Sequence, residues 1–455
     1  MIRQLRLIRK SRLWVRNGLR RVVRFRLTYR NASKVGGVAA GLMSVSIEFV
    51  KLSIIAFRHL IRLSGYLLIT VVFIPVVLIV RLLKPLVRVR VGFLDANRMG
   101  HFSVDIGTYL VERNLVNSGS KSVDLLFFRG KPCNEQLVKM CRREMRVSAI
   151  FRYFWWANWI VPFGASHRII PAIEREPVGS RDTRGLFYNS NTMLEFSELE
   201  NIAANKFLDR IGFGNCQYFI CLNVRDDAYL RTHMKRDQWD YHSYRDSDIE
   251  SYRSAALLLA NKGYGILRMG KKVEKEFNSS HPLIIDYANS PLRTDFLDVW
   301  LMANCFFCIS VGSGLDSVAD IFRVPTVMAN FIPMDHLHTW QFAITAPKRL
   351  YWEHGLRQEL TLSEMLGHGY SRTEEYQRAG IKVVDLDQEQ ISDAVAEMEE
   401  RLTKTYKETP IEKNRQAEFW KIFRSGPRYR ELHDFIHPSS YISKKFIGQN
   451  PEWLN

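Results

Sequence analysis

Alternating apolar and polar positions from residue 87 onward predict strands and helices that follow one another along the chain. Apolar residues occupy every second position between 87 and 93, as they do in a half-buried strand. A glycine-containing loop, a helix over 103–113 and an apolar strand over 123–128 come next. This order makes a βαβ unit, so the pattern predicts an α/β protein.

The pattern continues with a predicted helix over 134–145 and a predicted strand over 147–151. The aromatic run over 153–156 is interpreted as core packing or as membrane-facing packing. Residues 171–195 are polar and rich in turn formers, so we interpret them as a loop or linker before a second domain.

A second set of alternating elements follows this stretch. The predicted helices cover 198–210, 248–261, 294–303 and 315–322, and the predicted strands cover 217–223, 264–268, 284–287, 306–311 and 324–329. Arg225, Arg268 and the loop 310–314 each follow one of these strands. Because the carboxyl ends of parallel strands meet at one edge of a sheet, they would line one crevice.

The loop 310–314 is the main candidate for a phosphate site. Its Ser and Gly residues let the backbone turn sharply and approach a ligand, and a helix with unpaired amides follows from Leu315. An ordinary tight turn is the alternative. Arg225 and Arg268 would add charge and bidentate donors for a diphosphate, although each could instead be a surface salt-bridge partner.

Composition and charge exclude one class of partner. A chain of 455 residues with 46% hydrophobic and 12% aromatic residues is a folded globular protein with room for two or three domains. Its net charge of +18 would suit a nucleic-acid binder. However, residues 1–90 hold 19 Lys and Arg and a single acid, Glu48, so residues 91–455 hold 46 of each sign. Since the body is neutral, no nucleic-acid partner is expected.

The cationic excess lies beside an apolar stretch, which predicts membrane association. Residues 1–34 interleave twelve Lys and Arg with apolar residues, as in a helix on an anionic membrane surface; a disordered basic arm is the alternative. Residues 63–80 carry no charge and are at the lower limit for a spanning helix. A hairpin or monotopic anchor would keep both ends cytoplasmic, whereas a single span would place the body across the membrane. We expect the cytoplasmic face of a bacterial inner membrane.

Several motifs together resemble a family of bacterial glycosyltransferases associated with surface polysaccharides, over residues 87–450. The motifs are Asn-Val-Arg225-Asp, His242-x-x-Arg245, Arg268-Met-Gly270, Ser310-Val-Gly-Ser-Gly314 and, upstream, Arg98-Met-Gly-His101-Phe. The Val-Arg225 strand end and the loop 310–314 are more distantly similar to GDP-fucose-using fucosyltransferases, whose strand-end motif is His-x-Arg. Asn223 stands here in place of that His.

The resemblance implies a GT-B fold, in which two Rossmann-like domains face each other and the second holds a nucleotide sugar. The expected divisions are a basic tail with membrane-associated helices (1–86), a Rossmann-like acceptor domain (87–200), a Rossmann-like nucleotide-sugar domain (201–404) and a helical tail that packs back on the first domain (405–455). The oligomeric state is left open.

The implied reaction moves a sugar from a nucleotide-diphosphate sugar to a saccharide or lipid-linked acceptor, without a metal ion or a cofactor. Charge on the departing diphosphate must be neutralised, and the acceptor hydroxyl needs a general base if the reaction inverts the anomeric centre. The candidates are His101, Asp105 and Asp95 for the base; Arg225, Arg268, Gly270, Ser310, Gly312, Ser313 and Gly314 for the diphosphate; Asn223, His242, Arg245, Asn330, Asp335 and His336 for the donor sugar or nucleoside; and Arg98 and Gly100 for the acceptor loop. For each candidate base, a capping Asp or a packed His is the alternative role.

Two short motifs look like metal sites but have simpler explanations. Asp385-Leu-Asp387 follows a predicted strand over 381–384 and precedes a predicted helix, which favours helix capping. Cys305 and Cys308 are three positions apart in a strand, so their side chains should face opposite sides of the sheet. Neither motif predicts a metal ion.

The competing function is a non-catalytic membrane-bound protein that uses the same crevice to bind a nucleotide or a phosphorylated lipid. A carboxylate or His of the first domain that faces the phosphate loop across a cleft would favour the enzyme. A single-pass enzyme whose body lies beyond the membrane is a further alternative.

Overall fold

The structure is a computed structural model that describes residues 67–116, 122–176, 179–226, 240–354 and 359–454, with isolated positions between 43 and 65. The chain forms two compact units, one of Met1–Ile79 with Trp156–Pro162 and one of Val80–Trp155 with Phe163–Asn455. The predicted surface helix over 1–34 lies outside the described residues.

In the first unit, residues 67–79 are helical and expose many large apolar side chains. Thr70 and Val77 are buried, whereas Leu68 and Val72 are each 70% exposed. Trp156 and Trp159 are exposed as well, and their rings meet edge to face with centroids 6.1 Å apart. Within the described residues, no helix has both the length and the apolar content that a membrane crossing requires.

The helices of the second unit are short or medium in length, and several begin at polar caps. Their bounds are α1 (Met99–Val116), α2 (Glu135–Glu144), α3 (Phe151–Ile160, which runs into the first unit), α4 (Ala172–Arg175), α5 (Glu198–Arg210), α6 (Arg253–Asn261), α7 (Asp295–Asn304), α8 (Asp316–Phe322), α9 (Leu362–His368), α10 (Thr373–Arg378), α11 (Gln388–Leu402), α12 (Pro410–Ser425), α13 (Tyr429–Leu432) and α14 (Lys444–Gln449). Ser197 and Glu200 form a capping box at the start of α5, and Thr294 caps α7. These starts agree with the predicted helices to within one residue.

A small parallel sheet opens the second unit. It pairs β1 (Arg88–Asp95) with β2 (Ser122–Arg129), and α1 joins the two strands, so the predicted βαβ unit is confirmed. Single parallel bridges connect Val91 to Arg168 and Leu126 to Val147.

The predicted strand over 147–151 is wrong, because Val147 makes only that one bridge and α3 begins at Phe151. Trp155 of α3 packs edge to face on Phe93 and Phe127, with centroids 6.0 and 6.1 Å away. Aromatic side chains can cover a sheet from a helix as well as from a strand, so the aromatic run did not discriminate between the two.

The large sheet has seven parallel strands in the order β11-β8-β7-β6-β3-β4-β5. Its strands are β3 (Phe219–Asn223), β4 (Gly265–Arg268), β5 (Ile284–Ile285), β6 (Cys308–Ser310), β7 (Thr326–Phe331), β8 (Ala343–Pro347) and β11 (Ser440–Ile442). A separate antiparallel pair consists of β9 (Arg349–Trp352) and β10 (Ile381–Val384). The predicted α/β class with parallel strands is therefore confirmed.

Apolar residues cover both faces of the large sheet. Along β3, Ile220 and Leu222 belong to one buried cluster, whereas Phe219 and Cys221 belong to the other. This alternation is expected of a central strand with a layer on each face. The second cluster also contains Phe102 of α1, so an apolar core continues from the small sheet to the large one.

The C-terminal tail packs mainly on the large sheet, whereas the expectation placed it on the first domain. Phe419 and Phe423 of α12 are buried in the cluster that contains Ile220, and β11 pairs with β8 at the edge of the sheet. A short segment of the tail also reaches the residues before α5, because the Asp434 amide donates to the Thr183 carbonyl at 3.2 Å.

Candidate active site

The site lies where the order of the large sheet reverses. The chain leaves β3 for β4 and β5 on one side and returns as β6 on the other side of β3. Asn223 and Ser310, the last residues of β3 and β6, are partners in the strand register. The loops after two such strands diverge, which leaves a crevice at their carboxyl ends.

A cleft of about 630 Å³ opens at this crevice, and residues that follow strands of both sheets line it. Most of the predicted site residues lie along it: Arg98, Gly100, His101, Asn223, Arg225, Arg245, Gly270, Gly312, Ser313, Gly314 and His336. Six others are not among the lining residues: Asp95, Asp105, Arg268, Ser310, Asn330 and Asp335. His242 belongs to the short 3-10 helix Asp240–Arg245, and its side chain is outside the described part of the chain.

The predicted phosphate loop satisfies several of its own polar groups. Asp316, fully buried at the start of α8, accepts hydrogen bonds from the Ser313 amide at 2.6 Å and the Ser310 hydroxyl at 2.7 Å. The Gly312 amide donates to the Ser310 hydroxyl at 3.3 Å. Asn223 Nδ2 donates to the Ser313 hydroxyl at 2.7 Å. The position that an anion would take at the Ser313 amide is therefore held by a carboxylate.

Two glycines bring the loops of the two sheets into contact at this cleft. A Cβ on Gly314 would lie 3.2 Å from the Gly100 amide nitrogen, and a Cβ on Gly100 would lie 3.4 Å from the Gly314 Cα. A side chain on Gly314 would require a shift of a few tenths of an ångström, whereas a methyl group on Gly100 would make an ordinary contact. Small residues thus let the acceptor loop and the predicted phosphate loop meet.

The two arginines predicted to hold the diphosphate have different environments. Arg225 lines the cleft, and its Nε donates to Asp246 at 2.9 Å. Arg268 is 1% exposed and forms ion pairs with Asp286 at 3.2 Å and Asp226 at 3.9 Å. The buried Arg268 therefore has two partly buried acidic partners and does not line the cleft, so its side chain is placed to stabilise the strand ends.

The cleft brings the predicted Arg245 together with two arginines that the sequence did not single out, Arg181 and Arg428, and we call the three the arginine cluster. Arg181 is 9% exposed, and its Nη1 has no hydrogen-bond partner within the described residues. Arg245 donates to the Gly312 carbonyl, while its buried Nε is unpaired within the same residues. Arg428 Nη1 pairs with Asp335 at 2.6 Å.

Within the described residues, Arg428 pairs with Asp335 and Glu431, whereas Arg181 and Arg245 make no ion pair and each keeps a buried nitrogen without a partner. Burial lowers the pKa of Arg181 to about 10; Asp335 opposes this change, and Arg245 and Arg428 add to it. Burial, followed by the charges of the same three arginines, lowers the pKa of His336 to about 2, so this imidazole is neutral. Buried charge in excess of its partners is costly unless a ligand of opposite sign compensates it.

A second polar group lies on the small-sheet side of the cleft and links His101 to Asp105 through Ser180. The Ser180 hydroxyl lies 3.1 Å from His101 Nδ1 and donates to Asp105 Oδ1 at 3.0 Å. Asp105 is fully buried and also accepts from the amides of Ile173 at 3.1 Å and Asp95 at 3.3 Å. Burial raises the pKa of Asp105 to about 6 against these hydrogen bonds, and burial lowers the pKa of His101, with Arg98 adding to that effect.

The remaining predicted residues form structural contacts. Asp95 pairs with Arg129 at 2.9 Å. Asn330, at φ +58°, donates to Ser247 at 2.9 Å and accepts from the Leu386 amide at 2.6 Å. Both side chains are buried and lie away from the cleft lining.

The Asp-x-Asp motif is held by structural contacts too. Asp387 caps α11 through a hydrogen bond from the Gln390 amide at 2.8 Å, so the predicted capping role is confirmed. Asp385 pairs with Lys348 at 2.7 Å. Among the described residues, no group of three or more His, Cys, Asp or Glu could hold a metal ion.

Sequence reasoning missed Arg181, Ser180 and Arg428. Ser180 and Arg181 lie in the polar stretch interpreted as a linker, and Arg428 lies in the C-terminal tail. The available signal was the Gly-Ser-Arg triplet at 179–181, because a glycine beside two polar residues can mark a close approach of the backbone. In the structure Gly179 has φ +66°, and a Cβ there would lie 3.2 Å from the His101 ring.

Comparison with known proteins gives weak similarities. No protein-family model and no curated protein matches the chain. Among solved structures, the glycosyl transferase family 9 protein of Veillonella parvula DSM 2008 is 13% identical, with coverage of 70% of this chain and 99% of that chain and a TM-score of 0.43. The E. coli ADP-heptose lps heptosyltransferase II is 11% identical, with coverage of 70% and 99% and a TM-score of 0.37. The E. coli heptosyltransferase WaaC with ADP is 13% identical, with coverage of 57% and 91% and a TM-score of 0.27. At these scores the likeness carries no argument about function, which must come from the site.

Proposed function

We propose that this chain is a membrane-associated glycosyltransferase that moves a sugar from a nucleotide-diphosphate sugar to a saccharide or lipid-linked acceptor in cell-surface polysaccharide synthesis. The observation that carries the proposal is the buried guanidinium nitrogens of Arg181 and Arg245, which have no partner among the described residues, in a cleft that His101 also lines. A departing diphosphate needs fixed positive charge, and an acceptor hydroxyl needs a nearby base. The cleft offers both, and the proposed transfer uses no metal ion.

The position of His101 favours the enzyme over a non-catalytic binder. His101 and Gly100 line the same cleft as the loop Gly312–Gly314, so a titratable group of the small-sheet side faces the predicted phosphate loop. A protein that only bound a nucleotide or a phosphorylated lipid would not need a base there.

Membrane association, at the cytoplasmic face of a bacterial inner membrane, is part of the proposal. It is supported by the basic residues of 1–34 and by the exposed apolar side chains of residues 67–79. Anionic lipid would attract the first and apolar lipid chains would cover the second.

Thermal unfolding of the purified full-length chain in detergent tests the donor site. Nucleoside diphosphates and nucleotide sugars should raise the unfolding temperature, because a ligand that binds only the folded state stabilises it by mass action. The matching nucleosides should give smaller shifts, since they lack the diphosphate. Release of nucleoside diphosphate on addition of acceptor would distinguish the enzyme from a binder. No shift with any nucleotide, in a sample that unfolds cooperatively, would contradict the proposal.

A further inference from the structure

The segment 179–181, expected from the sequence to be part of a linker, connects the two polar groups of the cleft. Gly179 lies against the His101 ring, Ser180 bonds toward both His101 and Asp105, and Arg181 belongs to the arginine cluster. Three consecutive residues therefore contact the candidate base, its buried carboxylate and the anion pocket.

The hydrogen bonds of Ser180 select one tautomer of His101. A hydroxyl has a single proton, and Ser180 donates it to Asp105 Oδ1 at 3.0 Å. In the Nδ1–H tautomer, His101 Nδ1 donates to the Ser180 oxygen, 3.1 Å away. In the other tautomer, Nδ1 would instead accept from the Ser180 amide at 3.4 Å. The contact with the hydroxyl is the shorter of the two, so it favours the Nδ1–H tautomer. The free lone pair of the ring is then at Nε2.

We propose that Ser180 and Asp105 are positioning residues that hold His101 in the Nδ1–H tautomer, so that Nε2 acts as the general base. This inference rests on the proposed transferase function. Nε2 takes the proton of the acceptor hydroxyl while the acceptor oxygen bonds to the anomeric carbon, and the bond from that carbon to the diphosphate breaks with its electron pair leaving on the phosphate oxygen. The imidazolium that forms keeps its Nδ1–H bond to Ser180, whose partner is the Asp105 carboxylate.

Other charges around His101 do not replace this contact. Arg98 of its own loop and Arg129 of β2 disfavour the imidazolium, and Asp95 at the end of β1 favours it. Asp95 and Arg129 pair with each other at 2.9 Å. The Ser180 hydroxyl lies within hydrogen-bond distance of both the His101 ring and Asp105, so it can orient the ring.

Nitrogen-15 NMR of labelled full-length protein in detergent tests the tautomer directly. Wild type above pH 7 should show His101 mainly as the Nδ1–H form, assigned by the loss of its signals in His101→Gln. In Ser180→Ala the Nε2–H form, which is preferred by a free imidazole, should rise, and Ser180→Thr should restore the wild-type ratio because it keeps a hydroxyl. A predominant Nε2–H form in wild type would overturn the proposal.

Turnover measured on the same variants separates this inference from the function on which it rests. Ser180→Ala should lower kcat by about tenfold with little change in donor KM, as expected for the loss of one orienting hydrogen bond. Ser392→Ala is the matched control, because Ser392 donates to Gln388 on an exposed face of α11. A tautomer change without any transferase activity in wild type would reject the proposed function alone. Unchanged kcat and tautomer in a folded Ser180→Ala would reject the role of Ser180.

Discussion

The loop 310–314 and the segment 179–181 line the same cleft, yet they differ in what they leave available to a ligand. In the loop, the amides of Ser313 and Gly312 already donate to Asp316 and Ser310. In the segment, Arg181 has a buried nitrogen without a partner among the described residues. Small residues show where a backbone can approach a ligand closely, whereas unpaired buried charge shows where the charge of a ligand is needed.

The largest expected effect is the loss of kcat on substitution of His101, on the small-sheet side of the cleft. His101→Gln should lower kcat by about 10²–10⁴-fold, the range that a general base contributes, because Gln can replace a hydrogen bond but takes up no proton. Donor affinity, measured by titration calorimetry, should stay close to that of wild type. A folded variant with unchanged kcat would remove His101 as the base.

The next largest effect is expected on the arginine cluster. Arg181→Met should weaken the binding of a nucleoside diphosphate by about 10- to 100-fold, because a charge-assisted hydrogen bond to a phosphate is lost. Arg424→Met, on an exposed position of α12, is the matched control and should bind as wild type does. Equal affinities in all three proteins would show that the cluster does not hold the diphosphate.

Arg268→Met should lower the stability of the protein and leave its donor affinity unchanged, which is the opposite of the effect of Arg181→Met. The change leaves the partly buried Asp286 and Asp226 without their arginine partner, so the free energy of unfolding should fall by about 1–3 kcal/mol. The protein that stays folded at low temperature should keep its donor affinity, because Arg268 does not line the cleft. Urea unfolding and calorimetry on the same sample check both parts. A loss of affinity without a loss of stability would restore Arg268 to the donor site.

A smaller effect is expected on the pH dependence of kcat. Burial raises the pKa of Asp105 to about 6, so the carboxyl takes up a proton as the pH falls through that value. The neutral carboxyl then accepts only weakly from Ser180, so kcat should fall by about tenfold, the loss expected for Ser180→Ala, and then level off. In Asp105→Asn this limb should disappear, which leaves only the protonation of His101. A pH profile of kcat with an unchanged limb in Asp105→Asn would assign it to another group.

The sequence predicted five strands of the large sheet, β3 to β7, and the crevice at their carboxyl ends, because the signals for both are local. Apolar runs such as 306–311 mark buried strands, and Gly or polar residues mark their ends. The contacts of Ser180 reach residues 75 and 79 positions away, and those of Asp335 with Arg428 span 93. No local pattern reports such contacts, because only the folded chain brings these distant residues together.

The buried state of Arg268 was equally hidden from the sequence. Its motif and its place at a strand end are the same whether the side chain faces the cleft or two carboxylates. Only the positions of Asp226 and Asp286 decide which of the two orientations the Arg268 side chain takes, and these positions are known only in the folded chain. The motif therefore predicted where the crevice lies, but not which of its side chains face the cleft.

The smallest expected effect tests the contact between the two loops. In Gly314→Ala the new Cβ would lie 3.2 Å from the Gly100 amide nitrogen, so backbone on both sides must shift by a few tenths of an ångström. Because His101 follows Gly100 directly, the shift should move the base relative to the arginine cluster and lower kcat/KM by about threefold, well below the effect of a full ångström. Gly367→Ala is the control, since a Cβ at that helical position has no neighbour within 4 Å and should leave kcat/KM unchanged. If Gly314→Ala also leaves kcat/KM unchanged, the two loops tolerate separation, and the geometry of the cleft is set by the segment 179–181 and not by the glycine contact.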